Sequence, residues 1–225
     1  MTPLPPGFTA EAAAAGAPLD AEALERLRLL RNLLLAENEV QNLTTVTDPE
    51  AMATDHLLDS LALAGVAANL GLDLRQVVNC VDLGSGAGFP GIPLAVAFPR
   101  TRWVLVESEG GKVLWLERVV ESLGLPAVQV FRGRGREVRH NRADLAESCA
   151  LVTARAVGPL GKICREARGL LRPGGLLLCP KGPGLEDAER ALGEREARKS
   201  HLVPAVEFPM AVPGRERVCV SYRRR

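Results

Sequence analysis

The chain has 225 residues, 47% hydrophobic and 24% charged, enough for one full domain with an extension at roughly 100 to 200 residues per domain. That composition excludes global disorder, a collagen-like fibre and a disulfide-stapled miniprotein. The net charge is only +1, but residues 1–131 carry 8 Lys/Arg against 16 Asp/Glu and residues 132–225 carry 20 against 11, so one face can meet a polyanion.

Residues 1–18 are rich in Ala, Pro and Gly and are expected to form a mobile lead-in. Asp20 can cap a helix in which Leu24, Leu27, Leu30 and Leu34 recur at three- and four-residue spacing, running to about Glu39. Asp48-Pro49 starts a second helix carrying Met52, His56, Leu57, Leu63 and Val66, with proline at its first position. These helices make residues 19–70 a helical extension, and after Gly71 short apolar runs alternate with helix-length segments across 71–225, the signature of βαβ units. Strands are predicted at Val77 to Leu83, Arg102 to Glu107, Ala127 to Phe131, Ala150 to Arg155, Leu176 to Pro180, Leu202 to Phe208 and Arg217 to Tyr222. Helices are predicted between them at Ile92 to Ala97, Lys112 to Leu123, Arg136 to Ala146, Leu160 to Leu171 and Leu185 to Lys199. The last two strands flank Val212-Pro213-Gly214 and can pair as an antiparallel hairpin on the edge of a parallel sheet.

The uncharged stretches are broken by Ala, Gly and Pro and fall short of the ~20 apolar residues of a membrane helix, and no basic flank precedes an apolar run at the N-terminus. A soluble, unexported, cytoplasmic protein is expected. Cys80, Cys149, Cys164, Cys179 and Cys219 never form a CxxC or CxxH pair. They read as small buried residues in a reducing compartment, with no metal site expected.

The most informative segment is Val81-Asp82-Leu83-Gly84-Ser85-Gly86-Ala87-Gly88-Phe89-Pro90-Gly91, between an apolar strand and a helix. Its glycines let the backbone turn tightly and approach a ligand. Residues 86–91 fit GxGxxG, so a nicotinamide or flavin enzyme must be weighed. Two features favour S-adenosylmethionine. Asp82 puts a carboxylate at the strand end, which a pyrophosphate would disfavour and which can orient the loop or meet the cationic amino-acid portion of a donor. Leu171-Arg172-Pro173-Gly174-Gly175 leads into the apolar run Leu176-Leu177-Leu178, as before the fifth strand of class I methyltransferases. Glu107 ends the second strand, where a carboxylate can accept both ribose hydroxyl hydrogens in either class of enzyme.

From about residue 24 onward the sequence resembles the RsmG (GidB) family of 16S ribosomal RNA methyltransferases. The resemblance is carried by Asn42-Leu43-Thr44, His56-Leu57-Leu58-Asp59-Ser60-Leu61, the glycine loop with its Phe-Pro-Gly ending, Glu107-Ser108, Gly133-Arg134, Ala154-Arg155-Ala156 and Lys181-Gly182. It implies a class I S-adenosylmethionine-dependent methyltransferase fold, an α/β domain with a seven-stranded mostly parallel sheet, helices on both faces and an N-terminal helical extension. It implies methyl transfer to N7 of a guanine in 16S rRNA, with 16S rRNA or the small ribosomal subunit as partner and a monomer expected. Cofactor contacts are expected at Asp82, Gly84, Ser85, Gly86, Gly88, Phe89, Glu107, Gly135, Arg136 and Arg155, and RNA contacts at Asn42, His56, Arg134, Arg155 and Lys181. The family's Gly-Arg-x-Glu-Glu is here Gly133-Arg134-Gly135-Arg136-Glu137, so Arg136 replaces an acidic partner for the adenine amino group. Guanine N7 has a lone pair and no proton, so no general base is needed among His56, His140 and His201 and positioning carries the catalysis. Arg132 to Arg142 and the series Lys162, Arg165, Arg168 supply cations for RNA. The rival readings are a small-molecule methyltransferase of the same fold, a nicotinamide-dependent oxidoreductase and an RNA-binding protein without activity. The charge of the carboxyl half, the Leu-Arg-Pro-Gly-Gly strand entry and the intact glycine loop weigh against them in turn.

Overall fold

A computed structural model describes residues 3–182, 184–204 and 207–225. The chain opens with α1 (Phe8–Ala14), α2 (Ala21–Asn38), α3 (Pro49–Met52), a π-helical turn (Ala53–Leu58) and α4 (Asp59–Asn69). The α/β part follows as β1 (Asn79–Leu83), α5 (Gly91–Ala97), β2 (Arg102–Glu107), α6 (Gly110–Ser122), β3 (Val128–Arg132), α7 (Gly135–Asn141) and β4 (Cys149–Thr153). It ends with α8 (Leu160–Arg168), β5 (Leu171–Lys181), α9 (Asp187–Lys199), β6 (Leu202–Pro204), β7 (Phe208–Pro209) and β8 (Val218–Arg224). The caps are those the side chains dictate. Asp20 accepts from the Ala23 N–H at 2.8 Å and Asp48 from the Ala51 N–H at 2.7 Å, each at a helix N-terminus.

The sheet runs β3-β2-β1-β4-β5-β8-β6, with β7 also paired to β8. The first five strands are parallel and β8 is antiparallel to β5, β6 and β7. Alternation along the strands divides the core in two. In β2, Trp103 and Leu105 face the layer of α1, α2, α4, α5 and α6, whereas Val104 and Val106 face α7, α8 and α9. The inner parallel strands β1, β2 and β4 are buried on both faces and are largely apolar, whereas β3 at the edge is partly exposed. Among the described residues no helix is long and apolar enough to cross a membrane.

Three expectations change. The lead-in is not loose: α1 buries Phe8 and Ala12, and the Gly65 N–H donates to the Ala15 carbonyl at 3.0 Å. A Cβ on Gly16 would lie 2.9 Å from the Gly65 Cα, so two residues without side chains allow α1 to sit against α4. Among the described residues the single strand expected over Leu202 to Phe208 is two short ones, β6 and β7, so the sheet there has eight strands where seven were expected. β6 ends at Pro204 and β7 at Pro209; residues 205 and 206 lie outside the described residues. Third, α8 ends at Arg168 and Leu171-Arg172-Pro173-Gly174-Gly175 lies inside β5, not ahead of it. The pairing with β4 shifts register between Cys149 and Leu151, so the Pro-Gly-Gly segment is absorbed as an irregularity at the start of a long strand.

Candidate active site

The sheet order reverses between β1 and β4, so the loops after those strands diverge and leave a crevice at their carboxyl ends. A cavity of about 1010 Å³ occupies it. Its floor is the glycine loop. Gly86 has φ 58° and its N–H donates to Glu107 Oε2 at 3.0 Å, while Glu107 Oε1 accepts from the N–H groups of Ser108 at 2.6 Å and Glu109 at 2.9 Å. Three backbone donors thus hold the carboxylate at the end of β2 against the loop.

Asp82 lies beneath the loop. It is fully buried, Oδ1 accepting from the Thr153 hydroxyl at 2.8 Å and Oδ2 from the Gly91 N–H at 3.1 Å. Burial pushes its carboxyl up to about 6, and the Thr153 and Gly91 hydrogen bonds pull the other way. Asp82 therefore fastens the loop to β4 and the start of α5, and it does not line the cavity as expected of a cofactor contact.

The opposite wall comes from the N-terminal helices. The Asn38 side chain accepts from the Thr44 N–H and donates to the Thr44 carbonyl, both at 2.9 Å, which shapes the segment after α2. The Thr44 hydroxyl meets His56 Nε2 at 2.7 Å. His56 sits in the π-helical turn, its ring stacked on Phe89 at 4.8 Å between centroids, and burial followed by the Arg155 charge lowers its pKa to about 4. The ring is neutral at pH 7. Its Nδ1 contacts, to the Asp55 carbonyl at 3.0 Å and Arg155 Nη2 at 3.2 Å, are alternatives, because a neutral imidazole carries one N–H.

Arg155 leaves the end of β4 with its guanidinium 5.3 Å from the Phe89 ring centroid. Its Nη1 donates to Asp59 Oδ2 and to the Asp55 carbonyl, each at 3.0 Å, and Asp59 also accepts from Arg217 Nε at 3.0 Å. The buried Asp59 thus joins α4, the β4 loop and the start of β8. A second cavity, of about 420 Å³, lies beside this junction, shares His56, Arg155 and Ala156 with the first and is lined also by Lys181 and Arg217.

The structure gathers Asn42, His56, Gly84, Ser85, Gly86, Phe89, Glu107, Arg134, Gly135 and Arg155 around the main cavity. Four expected contacts lie elsewhere. Asp82 and Gly88 support the loop from behind, and Gly88 packs toward Ile92 of the following helix. Arg136, one residue into α7, is carried around the helix so that its side chain is 69% exposed and faces a different concavity. Lys181 pairs with Glu189 at 2.8 Å and lines the second cavity. Asn38, Val157 and Glu166 line the main cavity without having been singled out. The spacing of Lys162 and Glu166, one helical turn apart, was a usable signal for a shared face.

Burial raises all five cysteine thiols, Cys149, Cys164 and Cys219 to about 12, so none is a thiolate near neutral pH. What the arrangement offers is a glycine-floored pocket with a fixed carboxylate and a cationic stacking corner.

Residues 23–213 match the family described as rRNA small subunit methyltransferase G. The chain is 38% identical over 201 residues to the ribosomal RNA small subunit methyltransferase G of Sorangium cellulosum, covering 88% of this chain and 81% of that protein. It is 40% identical over 195 residues to that of Halorhodospira halophila, covering 84% of each. Among solved structures, a SAM dependent methyltransferase from Aquifex aeolicus superposes with TM-score 0.54 at 16% identity, over 70% of this chain and 87% of that one. Aeropyrum pernix fibrillarin, in complex with S-adenosyl-L-methionine, gives TM-score 0.52 at 19% identity, over 69% and 72%. These likenesses, with the sheet order and parallel strands, establish the class I methyltransferase fold.

Proposed function

Because the chain belongs to the rRNA small subunit methyltransferase G family, we propose that it transfers a methyl group from S-adenosylmethionine to N7 of a guanine in 16S ribosomal RNA. The observation that carries this reading is the main cavity at the sheet's switch point, where the family-specific loop Gly84 to Gly91 meets the backbone-held Glu107.

The residues present fit that cofactor. A Cβ on Gly135 would crowd Leu83 Cδ2 at 3.0 Å and Glu166 Cβ at 3.2 Å, so glycine suits this part of the wall. Glu107 is placed to accept from ribose hydroxyls, and Gly84, Ser85 and Gly86 present backbone to the amino-acid end. When bound, S-adenosylmethionine supplies an electrophilic methyl on a sulfonium sulfur. The chain's task is to orient the base and exclude water, since N7 has no proton to shed. His56 and Phe89 form a stacking surface, Arg155 is fixed over Phe89 by Asp59, and Arg134 stands at the rim. Lys181 in the second cavity is within the substrate's side of the site, and its ammonium can donate to the guanine O6. The place of action on this reading is the cytoplasm, where small subunits are assembled.

The test is incubation with isotopically methyl-labelled cofactor and a 16S rRNA transcript or small subunits lacking the modification, followed by cleavage chemistry specific for N7-methylguanine. Label at a single N7-methylguanine is the expected result, and label on another atom or on no RNA overturns the reading. A rate flat from about pH 7 to 8.5, clear of Asp82 near 6, is expected when no base must be deprotonated.

A further inference from the structure

Beside the main cavity, α7 and α8 enclose a second concavity of about 520 Å³, separate from the one that holds Lys181. Its walls carry Arg136 and Arg139 from α7 and Lys162, Arg165 and Arg168 from α8, with Glu166 the one carboxylate lining it among the described residues. Two basic clusters that are far apart in sequence are thus brought face to face by the crossover between β3 and β5.

These cations are poorly neutralised. Arg165 pairs with Glu196 at 2.9 Å, and Arg136 lies 3.7 Å from Glu137. Arg139, Lys162 and Arg168 have no carboxylate within 4.0 Å among the described residues. Arg165 and Arg168, like Arg136 and Arg139, are three residues apart on one helix, where like charges repel unless an anion lies between them. The Arg139 side chain is also seated against the backbone: a Cβ on Gly169 would lie 2.7 Å from its Cδ. Absence of a side chain at Gly169 lets the Arg139 stem lie along the end of α8, so that Arg139 and Arg168 line one concavity. The concavity adjoins the main cavity, since Gly135, Lys162 and Glu166 line both.

We propose that the concavity between α7 and α8 is a phosphodiester-binding cleft that grips the RNA strand next to the target base. The inference rests on the reading of the chain as an RNA methyltransferase, and adds where the strand runs. Free cations on two facing walls suit a repeating anion, because each phosphate can be met from both sides and each contact releases counterions. Guanidinium groups also match phosphate oxygens bidentately. Glu166, at the boundary between the two cavities, repels phosphate there and so separates the backbone path from the base pocket.

The experiment is binding of an in vitro transcribed 16S rRNA by the full chain across a KCl series. Arg139→Gln/Arg168→Gln should weaken binding at least tenfold near about 100 mM KCl and lower the log–log salt slope by roughly 1.4 to 1.8, the value for two lost phosphate contacts. Calorimetry with S-adenosylmethionine should give wild-type affinity for this variant, which also shows that it is folded. Arg139→Lys should restore most of the slope. Arg195→Gln/Arg198→Gln on α9, which removes the same charge elsewhere, should leave the slope near wild type. A wild-type slope and affinity in Arg139→Gln/Arg168→Gln, or an equal loss in the α9 pair, overturns the cleft alone. Wild-type protein that binds no RNA at any salt overturns both the cleft and the function it rests on.

Discussion

At the scale of single residues, His56 and Asp82 titrate in opposite senses. The folded pKa of His56, about 4, lies below the ordinary 6.5, so its contribution to stability is present above pH 6.5 and is lost as the pH falls toward 4. The folded pKa of Asp82, about 6, lies above 3.8, so its contribution is present below 3.8 and is lost as the pH rises through 6. His56→Gln, which keeps a partner for Thr44, should therefore show a flatter or inverted change in urea midpoint between about pH 4.5 and 6.5 than wild type. An acid limb as steep as wild type would show that another group carries it. Glu107 gives a second prediction. Glu107→Ala should weaken S-adenosylmethionine at least tenfold, about 1.4 kcal/mol, because the acceptor is lost and the Gly86 N–H loses its partner. Unchanged calorimetric affinity would remove Glu107 from the cofactor wall. The sequence left Asp82 two roles, orienting the loop or meeting the donor, and the choice between them depends on Thr153, which is 71 positions away.

Elements respond to their seats in the core. Phe8 is 2% exposed on a helix of only seven residues, too short to persist alone, so α1 exists because Phe8 and Ala12 are covered. Phe8→Ala should cost about 3 kcal/mol, the lower end for truncating a buried phenylalanine, read as a shift in urea midpoint. A change below about 0.5 kcal/mol would mean that the segment is as loose as its composition implies. In the glycine loop the sign is different. Nothing but the Gly84 carbonyl, 3.9 Å away, faces a Cβ at Gly86, yet φ there is 58°. Gly86→Val thus meets backbone strain and puts a branched side chain into the loop, and should abolish cofactor binding with a native circular dichroism spectrum. Retained binding would take the loop out of the site. The helices from Asp20 and Asp48 were legible because an aspartate cap, the proline after Asp48 and the apolar spacing are all local signals that agree.

Across the whole molecule, Asp59 is the tie between parts distant in the chain, accepting from Arg155 and Arg217, which lie 96 and 158 positions away. Its side chain is 3% exposed while the two arginines retain 20% and 24%. Asp59→Ala should cost about 2 kcal/mol, less than the 3 to 5 of a fully buried pair, because both guanidiniums can still reach water. It should also weaken RNA methylation more than cofactor binding, since Arg155 loses its anchor at the wall shared by the two cavities. Equal losses in both, or no loss of stability, would refute that role.

The sequence alone determined the order of strands and helices from α2 to α9, the capped N-terminal helices, the glycine loop and the carboxylate closing β2, because each is written in neighbouring residues through period, cap and turn chemistry. The family resemblance added the chemistry. Only the tertiary structure decided that β8 inserts between β5 and β6, that α1 is seated, that Arg136 and Lys181 stand outside the main cavity while Asn38 and Glu166 stand within it, and that α7 and α8 face each other with their cations. These outcomes depend on which surfaces meet. Burial, long-range ion pairs and the turning of side chains around a helix are set by contacts between residues tens of positions apart, which no local pattern encodes.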